Sequence, residues 1–191
     1  MGKQGIDSII KRHMPIQPMV RGIDHLGITV PDIESATRYF VSAFGAEVLY
    51  DVLSPSETPL GGPEIEAAVG LSAGTVVRAI RLLKVQKGPS LELFEYQVSS
   101  QKASAIPSDF GLQHMAIYVD DIAAAAERVQ QAGGQLMAGP MELPEIEGGP
   151  GNQFWYTRAP WGMTIELITY PAPQPYERTT HKRRWKPDAS V

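Results

Sequence analysis

Two histidines and two glutamates stand out because each occupies the same place in a repeated passage. D-H-L-G-I-T-V-P-D-I-E-S-A, from Asp24, returns as Q-H-M-A-I-Y-V-D-D-I-A-A-A, from Gln113, which sets His25 on His114, Val30 on Val119 and Asp32 on Asp121. S-L-E-L-F-E-Y, from Ser90, returns as T-I-E-L-I-T-Y, from Thr164, with Glu92 on Glu166 and Tyr96 on Tyr170. Self-similarity of this kind marks a duplicated architecture. Each glutamate sits between apolar neighbours, Leu91 and Leu93 in one copy and Ile165 and Leu167 in the other. Its own face is also largely apolar, carrying Phe94 in the first copy and Thr164 and Ile168 in the second. A carboxylate there is costly unless a cation or hydrogen bonds compensate it. Two matched carboxylates with two matched imidazoles are better explained by one shared cation than by polar residues left over from duplication. Nitrogen and oxygen ligands without thiolate suit Zn, Ni, Co, Mn or Fe(II). Such a set leaves one or two positions for water or substrate, as catalysis requires. Glu95 is the competitor of Glu92, but it points to the opposite strand face and has no acidic counterpart at Thr169.

The elements that must position these groups read alike in both copies. A strand over Ile23 to Val30 alternates His25, Gly27 and Thr29 with Leu26, Ile28 and Val30. Pro31 stops pairing, and Asp32 caps a helix whose Ala36, Tyr39, Phe40 and Ala43 form one apolar stripe ended by Gly45. A strand follows over Ala46 to Val52. The second copy offers a strand over Leu112 to Val119 and the cap Asp121. Its helix carries apolar Ile122, Ala125, Val129 and Ala132, and Gly133-Gly134 leads into a strand near Gln135 to Glu142. Two hairpins complete the reading: Thr75 to Val85 with Ser90 to Tyr96 about K-G-P, and Gln153 to Arg158 with Met163 to Tyr170 about A-P-W-G.

Each half is therefore strand, helix, three strands. The fold expected is α+β, with two βαβββ modules forming a curved mixed sheet that encloses a metal site. The divisions are an N-terminal extension over 1–20, a first module over 21–98, a linker over 99–111, a second module over 112–171 and a basic, proline-rich tail over 172–191. Residues up to about Arg21 have room for one helical turn. Between Ser54 and Gly74 the first module has extra material, including a short helix P-E-I-E-A-A-V opened by proline. The glycine- and proline-rich stretch Ala138 to Gly151 is read as a flap over the site. Phe154, Trp155 and Tyr156 are candidates to line a pocket beside it, although alternate ones must point away and a core role competes. The tail's cluster of His181, Lys182, Arg183, Arg184 and Lys186 is read as a solvated terminus, with an anionic substrate group or a partner subunit as its alternative targets. His13 and His181 lie outside the repeat and are read as surface residues.

Composition narrows the partners. The chain has 191 residues, 43% apolar and 20% charged, with a net charge of −4. Those are the proportions of a globular protein, without the positive field that phosphate backbones demand. It contains no cysteine, which removes disulfides, thiolate metal sites and a cysteine nucleophile. No apolar run approaches the roughly 20 residues of a membrane span, and M-G-K-Q-G-I-D has no apolar signal core. The expected compartment is the cytoplasm, with neither nucleic acid nor membrane as partner.

The repeated module, H-L-G-I-T-V-P-D-I, L-E-L-F-E-Y, Q-H-M-A-I-Y-V-D-D-I and W-G-M-T-I-E-L together resemble the vicinal oxygen chelate superfamily over about Arg21 to Pro171. That group includes glyoxalase I, methylmalonyl-CoA epimerase, extradiol ring-cleaving dioxygenases, thiol-transferring fosfomycin-resistance enzymes and bleomycin-binding proteins. The resemblance implies metal ligands at His25, Glu92, His114 and Glu166. Epimerases of the family differ chiefly by Gln at the second position. The dioxygenases and fosfomycin enzymes need only the first His, the third His and the final Glu. The Glu at position 92 therefore leans toward a metal-dependent lyase or isomerase of glyoxalase type. Bleomycin-binding members lack the ligand set.

The implied reaction is proton transfer next to a carbonyl through a metal-bound enediolate. Glu166 is nominated as base and Glu92 as ligand and second acid/base. The substrate would be a small molecule with two adjacent oxygens, and the assembly a homodimer, with site modules from one chain or two. The alternatives are an Fe(II) extradiol-type dioxygenase and a non-catalytic small-molecule-binding resistance protein.

Overall fold

The computed structural model describes residues 20–188, so the N-terminal turn and His13 lie outside the described residues. Strand β1 (His25–Val30) leads into helix α1 (Ile33–Phe44). The Asp32 carboxylate accepts from Ser35 N at 2.7 Å and so satisfies an otherwise orphaned donor of the first turn. Gly45 closes the helix in the left-handed region, at φ 63°, where a side chain would be strained. Strands β2 (Glu47–Leu53) and β3 (Leu60–Gly61) and helix α2 (Pro63–Val69) follow. Pro63 opens that short helix as the sequence predicts. Strands β4 (Val76–Lys84) and β5 (Ser90–Gln97) complete the first module.

The second module repeats the plan with β6 (Met115–Tyr118), α3 (Ile122–Gln131), β7 (Gln135–Leu136), β8 (Met141–Glu142), β9 (Gln153–Arg158) and β10 (Thr164–Thr169). A 3-10 turn over Pro175–Arg178 begins the tail. Asp121 caps α3, accepting from Ala123 N and Ala124 N at 3.0 Å each.

Each module carries its own mixed sheet of five strands, ordered β1-β5-β4-β2 and β6-β10-β9-β7, with β3 and β8 on β4 and β9. In both, the first strand runs parallel to the last, which is the pairing that matters for the site. The α+β architecture of two duplicated modules is thus as expected.

One strand differs from expectation. The run Gln135 to Glu142 is broken into the two short strands β7 and β8. Pro140 cannot donate to a ladder, and at Gly139 an added Cβ would lie 2.6 Å from the Trp155 ring, so the backbone leaves the sheet to pass that indole.

A single apolar cluster joins the modules. Ile33, Ala36, Tyr39, Phe40 and Ala43 of α1, Ile122, Ala126 and Val129 of α3, and the flanking Leu91, Leu93, Ile165 and Leu167 are all buried. Helix α1 packs on α3 across the centre. On this side Arg81 ties β4 to α1 and β2, with Nε donating to Asp51 Oδ1 at 2.6 Å, Nη1 to Thr37 Oγ1 at 3.1 Å, and Nη2 2.9 Å from Glu34. The helices cover one face of each sheet and leave the other to the site. Among the described residues no helix is long and apolar enough to cross a membrane.

Candidate metal centre

Parallel pairing brings the first strand of each module beside its last. In the first, Gly27 is opposite Glu92, and His25 Nε2 lies 3.2 Å from Glu92 Oε2. In the second, Ala116 is opposite Glu166, and His114 Nε2 lies 2.9 Å from Glu166 Oε2. The duplication seen in sequence is therefore a duplication of one atomic contact.

The other ring nitrogen is held alike in both. His25 Nδ1 is 2.8 Å from Asp24 Oδ2, and His114 Nδ1 is 2.9 Å from Gln113 Oε1. Each ring therefore stands between two oxygen-bearing side chains, an arrangement that a proton on Nε2 satisfies and in which a divalent cation would take that proton's place. The donor types suit a divalent ion, two imidazole nitrogens and two carboxylates with a side-chain oxygen on each Nδ1, but they stand as two separate pairs. Asp24 and Gln113 escape the sequence reading of the site. The signal for them was available, since an oxygen-bearing side chain precedes the histidine in both copies.

Burial differs between the pairs. The side chains of His25 and Glu92 are 43% and 21% exposed, against 24% and 11% for His114 and Glu166. Desolvation pushes the Glu166 carboxyl above its ordinary pKa, against the opposing pull of His114. The His25 pKa is also raised, chiefly by the hydrogen bond to Asp24 and further by Glu92.

The four side chains meet as two pairs. Among the described residues no three His, Asp or Glu side chains gather into a single group able to hold a metal. A cavity of about 1220 Å³ lies between β1 and β6, and its walls include Asp24, Ser90, His114, Tyr118, Trp185 and Asp188. Both modules thus contribute to one space, the first through the neighbour of His25 and the second through His114 itself.

The remaining sequence candidates separate clearly. Glu95 accepts from Ile33 N at 2.9 Å, at the N-terminus of α1 on the face opposite Glu92. Tyr156 stands opposite Glu166 and meets the His114 ring edge-on at 5.1 Å, with Phe154 beside it. Trp155 points the other way, its Nε1 donating to Met137 O at 2.7 Å. His181 is exposed.

The loop before β9 is braced by Asn152, whose Nδ2 donates to Glu147 O and Ala172 O at 2.9 and 3.2 Å. The basic tail is not a free terminus. Arg184 lies 4.7 Å above the Tyr170 ring and 3.1 Å from Glu147, and the Tyr170 hydroxyl donates to Trp185 O. A cation over an aromatic face with a carboxylate alongside gives the segment a reason to dock.

A sequence profile of the Glyoxalase/Bleomycin resistance protein/Dioxygenase superfamily matches residues 24–156, spanning both histidines and the first glutamate. The chain belongs to that superfamily. A "2-epi-5-epi-valiolone epimerase" from Actinomyces sp is 34% identical over 177 residues, covering 91% of this chain and 92% of that protein. Among solved structures, a glyoxalase family protein from Bacillus cereus superposes with a TM-score of 0.62 at 19% identity, over 82% of this chain and 98% of that one. A mutant of the fosfomycin resistance protein FosX from Listeria monocytogenes, complexed with Mn(II) and 1S,2S-dihydroxypropylphosphonic acid, gives 0.53 at 16% identity, over 85% and 100%. These two structural likenesses concern the fold.

Proposed function

We propose that this chain is a divalent-metal-dependent epimerase, inverting a carbon next to a ketone in a compound of the 2-epi-5-epi-valiolone class. The observation that carries the reading is the pair of duplicated His–Glu contacts, each with its Nδ1 held by a neighbouring side-chain oxygen, so that a metal would take Nε2 in place of a proton. The epimerase relative, similar over nine-tenths of both chains, supports the reaction class. Among lyases and isomerases of this type, epimerisation makes the fullest use of two carboxylates. One takes a proton from one face of the carbon, and the other returns a proton to the opposite face.

His25, Glu92, His114 and Glu166 would hold the ion, and of these His114 lines the cavity between β1 and β6. When bound, it would polarise the ketone and lower the acidity barrier at the adjacent carbon. Glu166 is the base. Its burial already disfavours the charged carboxylate, so it gains from accepting a proton. Glu92, more hydrated, supplies the proton on the other face. His25 and His114 act as ligands, oriented by Asp24 and Gln113. Exposed Val48, Leu49, Tyr50 and Val52 on β2 form an apolar strip that suits pairing with a second copy, in a homodimer whose sites each lie within one chain.

The test is hydrogen exchange in D2O with 2-epi-5-epi-valiolone and metal-loaded protein. Deuterium should enter the carbon beside the ketone, and Glu166→Gln should abolish it. Substrate-dependent oxygen consumption without exchange would replace this reading with dioxygenase chemistry.

A further inference from the structure

The cavity between β1 and β6 has a third side that neither module supplies. Trp185, Pro187 and Asp188 of the tail line it. The segment is tied down at both ends. The Tyr170 hydroxyl donates to Trp185 O, Lys186 Nζ donates to Tyr170 O at 3.1 Å, and Lys87 Nζ of the first module reaches Asp188 at 2.8 Å. Trp185 itself is 57% exposed. A large aromatic fixed by its backbone yet left half in water at a cavity wall is a surface awaiting a partner. The charged groups of the wall are equally telling. Asp24, Asp120 and Asp188 line it together with His114 and Lys87, with Asp24 held by His25 and Asp188 by Lys87.

We propose that Trp185 is a specificity-determining wall of the substrate cavity, and that the acidic lining selects uncharged, hydroxyl-bearing ring compounds against anionic ones. The indole would take the C–H face of a saturated ring, while Ser90 meets a hydroxyl group at its edge. A phosphate or carboxylate would meet like charge. Arg184 is a positioning residue, holding the segment on Tyr170 and Glu147. The choice of ketone rests on the epimerase reading, whereas the wall does not.

The experiment has two arms. With metal-loaded protein, 2-epi-5-epi-valiolone is compared with its phosphate monoester. Trp185→Ala should raise KM for the ketone by about tenfold or more with kcat within about threefold, the signature of lost ground-state binding. Arg184→Gln should do so more weakly, with Arg184→Lys restoring it. Asp188→Asn, which frees Lys87, should narrow the preference against the phosphate ester by about tenfold. Arg183→Gln, whose guanidinium turns back on Thr180 O and Lys182 O, should change nothing.

In the second arm, metal-free protein is titrated with the ketone, and tryptophan emission is compared with that of Trp185→Phe. A signal present only in the unmutated chain supports the wall even if no metal chemistry is found. Unchanged KM in Trp185→Ala with normal turnover overturns the proposal. So does a loss of dimer without a change in KM, since Trp185 would then be an interface residue.

Discussion

The two modules hold the same histidine–glutamate contact in different surroundings. In the first, the pair lies at an open sheet face, its histidine backed by Asp24 and nearly half exposed and its glutamate about a fifth exposed. In the second, the pair is more deeply buried, its histidine backed by the neutral Gln113 and covered at the edge by Tyr156. The repeated tyrosines diverge as well. Tyr96 stacks on Phe94 within its own sheet, while Tyr170 anchors the tail. Duplication has kept the histidine–glutamate contact and let its surroundings drift apart.

Substitutions can break this asymmetry in order of consequence. Glu166→Gln should reduce proton exchange by about 10²- to 10⁴-fold, the usual range for loss of a general base. Glu92→Gln should lower it about tenfold less severely, and equal losses in exchange assays would show that the modules are not differentiated. Next comes complementation. Chains carrying His25→Ala and His114→Ala, expressed together, should remain inactive if each site lies within one chain. Recovery of about a quarter of the normal activity, one intact site in each mixed dimer, would place the site between copies.

In the outer shell, Asp24→Ala and Gln113→Ala should each weaken metal affinity by about 10- to 100-fold in equilibrium dialysis, with Asp24 the larger because its charge is lost. The smallest effects concern scaffolding. Asp32→Ala and Asp121→Ala should each cost about 1 kcal/mol in denaturant unfolding and leave metal affinity unchanged.

Much of this was legible in the residues. Asp32 and Asp121, followed by apolar stripes, announce capped helices, and the glycine at 45 marks where the first must end. The ligand candidates were legible because strand alternation sets His25 and Glu92 each on the face opposite the core residues, whereas the parallel pairing of first and last strands that brings them together appears only in the structure. The division of the four ligands into two pairs was not legible. Neighbours within a sheet are set by register, but the gap between modules depends on how α1 packs on α3, and no local pattern encodes that. The apolar stripe of α3 is wider than the sequence suggests, since Ala126 is buried with Ile122 and Val129 while Ala125 and Ala132 pack against the same cluster at its edge. The tail escaped because a run of basic residues reads as solvated, whereas its partners Glu147 and Tyr170 are distant in sequence.

The most direct measurement is metal stoichiometry on protein purified without chelators, by elemental analysis of the unsubstituted chain and of His25→Ala and His114→Ala. The account predicts one divalent ion per chain, lost or greatly weakened by either substitution, because both pairs grip the same ion. Two ions per chain, each sensitive to only one histidine, or binding indifferent to both, would contradict it.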